Sequence, residues 1–329
     1  MSFGSLKGQD RAIVFLKGVA ESGRVANSYI FVGPSGCGRK TAALGFAKLL
    51  NCSGPLNGEP CGECHFCKKI SDNSCPDVKI LTKAKDKTEI GIDIILEAVR
   101  SIALKPYEAR RKVYIIDGAD EITDDAANAI LKTLEEPPPS AVLILIAENY
   151  ESLLPTIRSR SQAVKFFPVP TADIERILED AHKIDREKAK LFSRISSGSV
   201  GRAIRFSKGN YLEDRLRVIE SVERGTFFGS DLDGLKRDVL RSHLEIMLSW
   251  YRDILVTKAS RSAPDSASPK ISPDIINVDK AADIKVSAGA LGFDYLQRAI
   301  DRILETMDAL DKNANPKLAM AALGTMNIE

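Results

Sequence analysis

Tyr29-Ile30-Phe31-Val32-Gly33-Pro34-Ser35-Gly36-Cys37-Gly38-Arg39-Lys40-Thr41 is the stretch on which the fold turns. A short apolar, β-prone run enters a glycine-rich turn. It leaves as Thr41-Ala42-Ala43-Leu44-Gly45-Phe46-Ala47-Lys48-Leu49-Leu50, which has helical periodicity. Strand, glycine turn and helix are the context in which backbone N–H groups and a helix N-terminus face a phosphate. Gly33 and Gly38 stand at the spacing of such a loop, with Gly36 between them. The chemical end is altered: Arg39 takes the place of the usual lysine, and Lys40 that of the Ser/Thr whose hydroxyl reaches Mg²⁺. An ammonium there repels the metal, and Thr41 lies one residue late to replace the hydroxyl. The expected nucleotide site is therefore degenerate.

Working outward, the segment Leu6 to Arg24 carries Ala12, Phe15, Leu16 and Val19 on one helical face, and Gly23 marks its stop. Downstream, Val78 to Leu81 reads as a strand, Asp86-Lys87-Thr88 as a turn and Ile92 to Leu104 as an amphipathic helix. Lys112-Val113-Tyr114-Ile115-Ile116-Asp117 is an apolar strand that ends in a carboxylate. Asp117 is thus placed at the carboxyl edge of a parallel sheet, where a second nucleotide motif holds Mg²⁺. In an ATPase a glutamate follows; here it is Gly118, with Asp120 and Glu121 displaced along the chain. Ala126 to Glu136 is a strong helix former, stopped by Pro137-Pro138-Pro139. Ala141 to Ala147 and Ala163 to Phe167 complete the strands. Their alternation with helices predicts a doubly wound parallel sheet.

Cys52, Cys61, Cys64 and Cys67, spaced C-x8-C-x2-C-x2-C, offer four thiolates from a loop rich in Gly and Pro. That set suits tetrahedral Zn²⁺ in a structural site, with no open position for catalysis. His65 and Cys75 lie nearby as ordinary loop residues. From Pro168 short helices follow, then an almost wholly helical segment from about residue 210. It is interrupted by Ser260 to Pro273, expected to be a mobile loop. Trp250 and Tyr251 follow Leu244, Met247 and Leu248 at helical spacing and belong to a core or a subunit interface.

With 329 residues and 44% hydrophobic content the chain can build two or three ordinary cores. Forty-seven basic against 45 acidic residues give a net charge of +2, so no global field demands a nucleic-acid partner. No apolar run reaches membrane-spanning length, and the N-terminus lacks a signal-peptide layout. A cytoplasmic protein without membrane contact is expected. Clustering of the cysteines points to a metal site in a reducing compartment rather than to disulfides.

Taken together, the glycine turn, the four-cysteine insertion, Leu104-Lys105-Pro106-Tyr107-Glu108, Asn128 to Pro138 with its Leu-Glu-Glu-Pro-Pro, Ser159-Arg160-Ser161, and Asn313 to Leu318 resemble the AAA+ clamp-loader subunits of bacterial DNA polymerase III. The resemblance implies an AAA+ fold over residues 1–167 with a zinc module at about 52–67. A helical lid over 168–208 and an all-α oligomerisation collar over 209–329 would follow. Arg39, Lys40 and Gly118 set the chain apart from the gamma/tau motor type. So does Gly201, which stands where the family's lid arginine follows Gly198-Ser199; Arg202 is one residue late, about 100° round a helix. The resemblance is to the delta prime type, with Ser161 where that type usually has Cys. It implies a non-motor subunit in a ring with gamma/tau and delta subunits, with primer-template DNA as a partner and the sliding clamp as an indirect one, near the nucleoid. ATP and Mg²⁺ would bind weakly or not at all here and belong to a neighbouring motor, to which Arg160, with Ser159 beside it, would present an arginine finger. No local acidic partner is expected for Arg160, and Arg158 has no assigned role. Two other readings are an ATP-hydrolysing gamma/tau-like motor and a zinc-dependent nucleic-acid-binding module with a vestigial sheet, for which Phe66, Lys68 and Lys69 are thin support.

Overall fold

The computed structural model describes residues 3–84, 87–224, 236–262, 275–312 and 314–324. Asp86 of the expected turn, positions 263–273 of the expected mobile loop, and Asn313 lie outside the described residues. The chain divides into two compact units, Met1–Ile177 with Ser197–Arg202, and Leu178–Ser196 with Ala203–Glu329.

The first unit is built on β1 (Ser28–Val32), β2 (Val78–Leu81), β3 (Lys112–Asp117), β4 (Ala141–Ala147) and β5 (Gln162–Lys165). They form one five-stranded sheet in the order β2-β3-β4-β1-β5, every pair parallel. β1 and β4 are buried along their whole length, the near-continuous apolar run of a parallel sheet covered on both faces. Successive side chains then go to opposite cores. Tyr29 and Phe31 join Leu16 and Phe46, from α1 (Asp10–Ser22) and α2 (Arg39–Asn51). Beyond α3 (His65–Ser71), α4 (Ile92–Ile102) and α5 (Asp124–Glu135) cover the other face, where Ile30 meets Ile95, Tyr114 and Ile130. Thr123 caps α5 by accepting from the Ala126 N–H, and Asp124 and Asp125 follow in its first turn, where the helix dipole favours carboxylates. Pro155 opens the short α6 (Pro155–Ser159).

Register aligns the functional candidates. Val32 pairs with Ala147 and Asp117 with Ile146, so the glycine loop after β1, Glu148 after β4 and Asp117 at the end of β3 share the carboxyl edge. That edge is where ligands meet open α/β sheets.

Two helices, α7 (Thr171–His182) and α9 (Val200–Lys208), have residues in both units, and α8 (Arg186–Ile195) belongs to the second. The rest of the second unit is α10 (Tyr211–Glu223), α11 (Arg237–Ser262), α12 (Ala281–Ala290), α13 (Phe293–Asp311) and α14 (Pro316–Gly324). The apolar faces around Leu244 to Leu255 and Leu296 to Leu310 pack chiefly on one another: Leu244, Trp250, Ile254, Leu296 and Ile303 share one core. Most of that apolar surface is therefore covered within the chain, although Leu304 stays exposed. Arg215, buried in this unit, is bound by Asn277 Oδ1 at 2.7 Å and by Asp279 Oδ2 at 2.8 Å, partners a buried cation requires. Among the described residues no helix is long and apolar enough to cross a membrane.

Candidate functional site

The glycine loop approaches its neighbours too closely for side chains. Gly36 has φ +72°, and a Cβ there would lie 2.2 Å from Ser199 Oγ. Its carbonyl accepts the Gly201 N–H at 3.1 Å, so the start of α9 is fastened directly to the loop. A Cβ on Gly201 would come within 3.3 Å of Gly36 Cα, which leaves little room for a lid arginine at that position. Gly38 precedes α2, and Arg39, Lys40 and Thr41 form the first turn of that helix.

The two cations at that turn are turned toward the neighbouring strand ends. Lys40 Nζ lies 3.0 Å from Asp117 Oδ2. Arg39, nearly buried, has Nη2 3.6 Å from Glu148 Oε1, while its Nη1 is buried with no hydrogen-bond partner among the described residues. Gly118 has φ +97°, a conformation that strains an L side chain, and a Cβ on it would meet Glu121 Oε2 at 2.9 Å. Neither displaced carboxylate is free to replace a glutamate: Asp120 Oδ2 accepts the Glu148 N–H at 2.8 Å, and Glu121 pairs with Lys83 at 2.9 Å. The arrangement is a glycine loop beside a strand-end carboxylate that already holds an ammonium.

The four cysteines meet as their spacing predicts. Cys52 ends α2, Cys64 precedes α3 and Cys67 lies in its first turn; the four sulfurs all lie within 4.8 Å of one another. Backbone N–H groups of Cys61 and Cys64 point at the sulfurs of Cys52 and Cys61, each at 3.3 Å. Burial pushes the Cys52 thiol up and the Cys67 thiol up to about 12. Burial opposes ionisation of Cys64 as well, but the Ser53 and Cys67 N–H groups and the adjoining thiols outweigh it and bring Cys64 down to about 6. Hydrogen bonds from the Cys64 and Glu63 N–H groups lower Cys61. Four such donors can bind a metal ion. Beside them, Lys69 of α3 donates to Glu108 at 2.7 Å, and His65 lies 3.3 Å from the same carboxylate. This ties the cluster to the Lys-Pro-Tyr-Glu segment. Asp77, fully buried, holds that segment in turn by accepting from the N–H groups of Tyr107, Glu108 and Ala109 at 2.8–2.9 Å.

Arg160 ends α6. Its Nη1 donates to the Thr156 carbonyl at 3.1 Å and to Ser159 Oγ at 3.3 Å, and its Nη2 lies 2.9 Å from Glu135 Oε1. The expectation that nothing local answers its charge is therefore wrong, because the partner comes from the end of α5 rather than from its own helix. Arg158 likewise pairs with Glu151 and lies over the Tyr150 ring, 5.3 Å from the centroid. Ser161 Oγ is hydrogen-bonded to Ser28 Oγ at 2.7 Å, fastening the segment to β1. Arg160 also lines a cavity of about 440 Å³ with Asn27, Ser28, Leu134, Pro137 and Ser159. Sequence reasoning missed Glu135, Glu148 and Asp77. Only Glu135 carried a signal, its place in the Leu-Glu-Glu-Pro-Pro run.

Residues 8–170 match the family model described as DNA polymerase III, delta subunit. DNA polymerase III subunit delta' of Bacillus subtilis is 33% identical over 261 residues, covering 75% of this chain and 77% of that protein. The chain belongs to the delta prime and gamma/tau family of DNA polymerase III clamp-loader subunits. The gamma/tau subunit of Mycobacterium tuberculosis is 31% identical over 299 residues, 81% of this chain, which spans 51% of that longer relative. A solved gamma subunit-related protein from Thermotoga maritima covers 96% of this chain and 98% of its own length at 19% identity and a TM-score of 0.43.

Proposed function

We propose that the chain is a delta prime-type, non-motor subunit of the replicative clamp loader. In this role it joins gamma/tau and delta subunits in a ring that loads a sliding clamp onto primed DNA in the cytoplasm. The observation that carries this reading is the 3.0 Å contact between Lys40 Nζ and Asp117 Oδ2. In an active P-loop site that carboxylate serves Mg²⁺, and a divalent ion would have to displace the ammonium against charge repulsion. Gly118 removes the water-polarising glutamate as well. Gly33, Gly36, Gly38, Arg39, Lys40, Thr41 and Asp117 then form a site whose nucleotide affinity is weak or absent.

The part left to this chain is to supply Arg160, oriented by Ser159, to ATP held by an adjacent motor subunit. A guanidinium stabilises charge that develops during phosphoryl transfer and needs no base or nucleophile of its own. Residues 1–167, 168–208 and 209–329 would serve as AAA+ module, lid and collar. For the cysteines the reading is structural Zn²⁺. A Zn–S bond of about 2.3 Å puts tetrahedral sulfurs roughly 3.8 Å apart, and the Cys52 and Cys64 sulfurs stand at 4.0 Å. The ion would crosslink the end of α2 to the start of α3.

Steady-state ATP hydrolysis tests the assignment. The isolated chain should be inactive, and adding it to motor and delta subunits with clamp and primed DNA should stimulate their hydrolysis. Turnover by the isolated chain that Asp117→Asn abolishes would assign it to the motor type.

A further inference from the structure

We propose that Glu135 is a positioning residue for Arg160, an inference that rests on the trans-acting role of that arginine. Arg160 has a long side chain with many rotamers, and two of its three contacts, the Thr156 carbonyl and Ser159 Oγ, come from its own helical turn. Both engage Nη1. They leave the guanidinium plane free to swing about that anchor. Glu135 engages the other terminal nitrogen, Nη2, at 2.9 Å from a different element, and so fixes the plane at a second point.

The local design of α5 serves this contact. Pro137 cannot continue the helix, which makes Glu135 its last residue. A carboxylate at a helix C-terminus faces the negative end of the dipole and is disfavoured there without a cation beside it. Arg160 is that cation. The pair is half-exposed, with 36% and 52% of the two side chains accessible, so it contributes little to folding. Orientation is the larger effect. Leu134 and Pro137, on either side of Glu135 and Glu136, line the same cavity as Arg160. The Leu-Glu-Glu-Pro-Pro run thus builds one wall of the space into which the guanidinium is presented. Reach of a phosphate oxygen by a preset guanidinium avoids the loss that misplacement brings to phosphoryl transfer.

The test is ATP turnover by the full complex, reconstituted with motor and delta subunits, clamp and primed DNA. It carries this chain as wild type, Glu135→Ala, Glu135→Gln, Arg160→Ala or the Glu135→Ala/Arg160→Ala pair. Glu135→Ala should lower kcat about twofold, a part of the several-fold loss expected of Arg160→Ala, with KM for ATP and complex assembly unchanged. Glu135→Gln, whose amide oxygen still accepts from the guanidinium, should recover most of the rate. The double variant should be no slower than Arg160→Ala alone, since residues acting through one another are not additive. Glu135→Ala at the wild-type rate while Arg160→Ala is slow overturns the positioning role alone. So does an equal loss from Glu135→Ala on the Arg160→Ala background. A wild-type rate for Arg160→Ala overturns the trans-acting reading and this inference with it.

Discussion

Lys40 Nζ lies 3.0 Å from Asp117 Oδ2, so an ammonium from the first turn of α2 sits against the carboxylate that ends β3. The pair is half-exposed and adds little to folding, but an ammonium at the carboxylate repels a divalent ion that would share it. Lys40→Thr removes that charge and supplies a hydroxyl. Titration with a fluorescent ADP should show Mg²⁺-dependent binding at least about tenfold tighter than wild type. Hydrolysis should stay absent, because Gly118 is unchanged. Equal affinity in the two proteins would mean that the ion pair does not govern the site.

The cysteine cluster yields a proton count. Cys64 at about 6 is largely ionised at neutral pH, whereas Cys67 at about 12 and the raised Cys52 keep their protons until metal takes the sulfurs. Zinc uptake at pH 7.5 should therefore release at least the protons of Cys52 and Cys67, and affinity should rise as the pH rises. Calorimetry in buffers of different ionisation enthalpy reads this directly. Cys64→Ser should lose stoichiometric zinc and lower the melting temperature. Purified protein without zinc, or zinc uptake without proton release, would contradict the assignment.

Asp77 supplies a pH dependence of folding. Burial opposes its ionisation, but three backbone N–H groups and Lys112 outweigh it and hold the carboxyl below its usual range. A depressed folded-state pKa gives stability that is complete above the unfolded value, near 4, and lost as the pH falls through the lower folded value. Asp77→Asn should cost about 1–3 kcal/mol at pH 7, and the variant should lose less stability than wild type on acidification below pH 4. Urea melts across pH 2.5–7 check this, and parallel curves would remove Asp77 from the acid response.

Much of this was legible in the chain itself, for identifiable reasons. The apolar runs at Tyr29–Val32, Val113–Ile116 and Ala141–Ala147 lie at the centre of a sheet buried on both faces, and strands of that kind announce themselves without alternation. The cysteine spacing likewise converges, because its ligands are close along the chain. Contacts across the fold were hidden. Arg160 and Glu135 are brought together by the packing of α6 on α5, and Arg39 and Glu148 by the pairing of β1 with β4. The spacing of Leu244, Met247, Leu248 and Trp250 showed a core or an interface, but not that α13 shares that core. Helix ends slipped by one to four residues, as at α2, where the glycine turn winds into the helix at Arg39 rather than Thr41.

The central claim is that this chain acts on a neighbour's ATP through Arg160, and DNA-stimulated ATP hydrolysis by the reconstituted complex tests it most directly. An arginine finger is worth about 10³–10⁵ in rate at its own site, and other sites in the ring keep their own. Arg160→Ala should therefore give a complex that assembles fully but hydrolyses ATP and loads clamps several-fold more slowly. Arg160→Lys should recover little, since an ammonium lacks the planar fork, and Arg158→Ala should do much less than Arg160→Ala. Clamp loading and hydrolysis at the wild-type rate by an assembled Arg160→Ala complex would contradict the account.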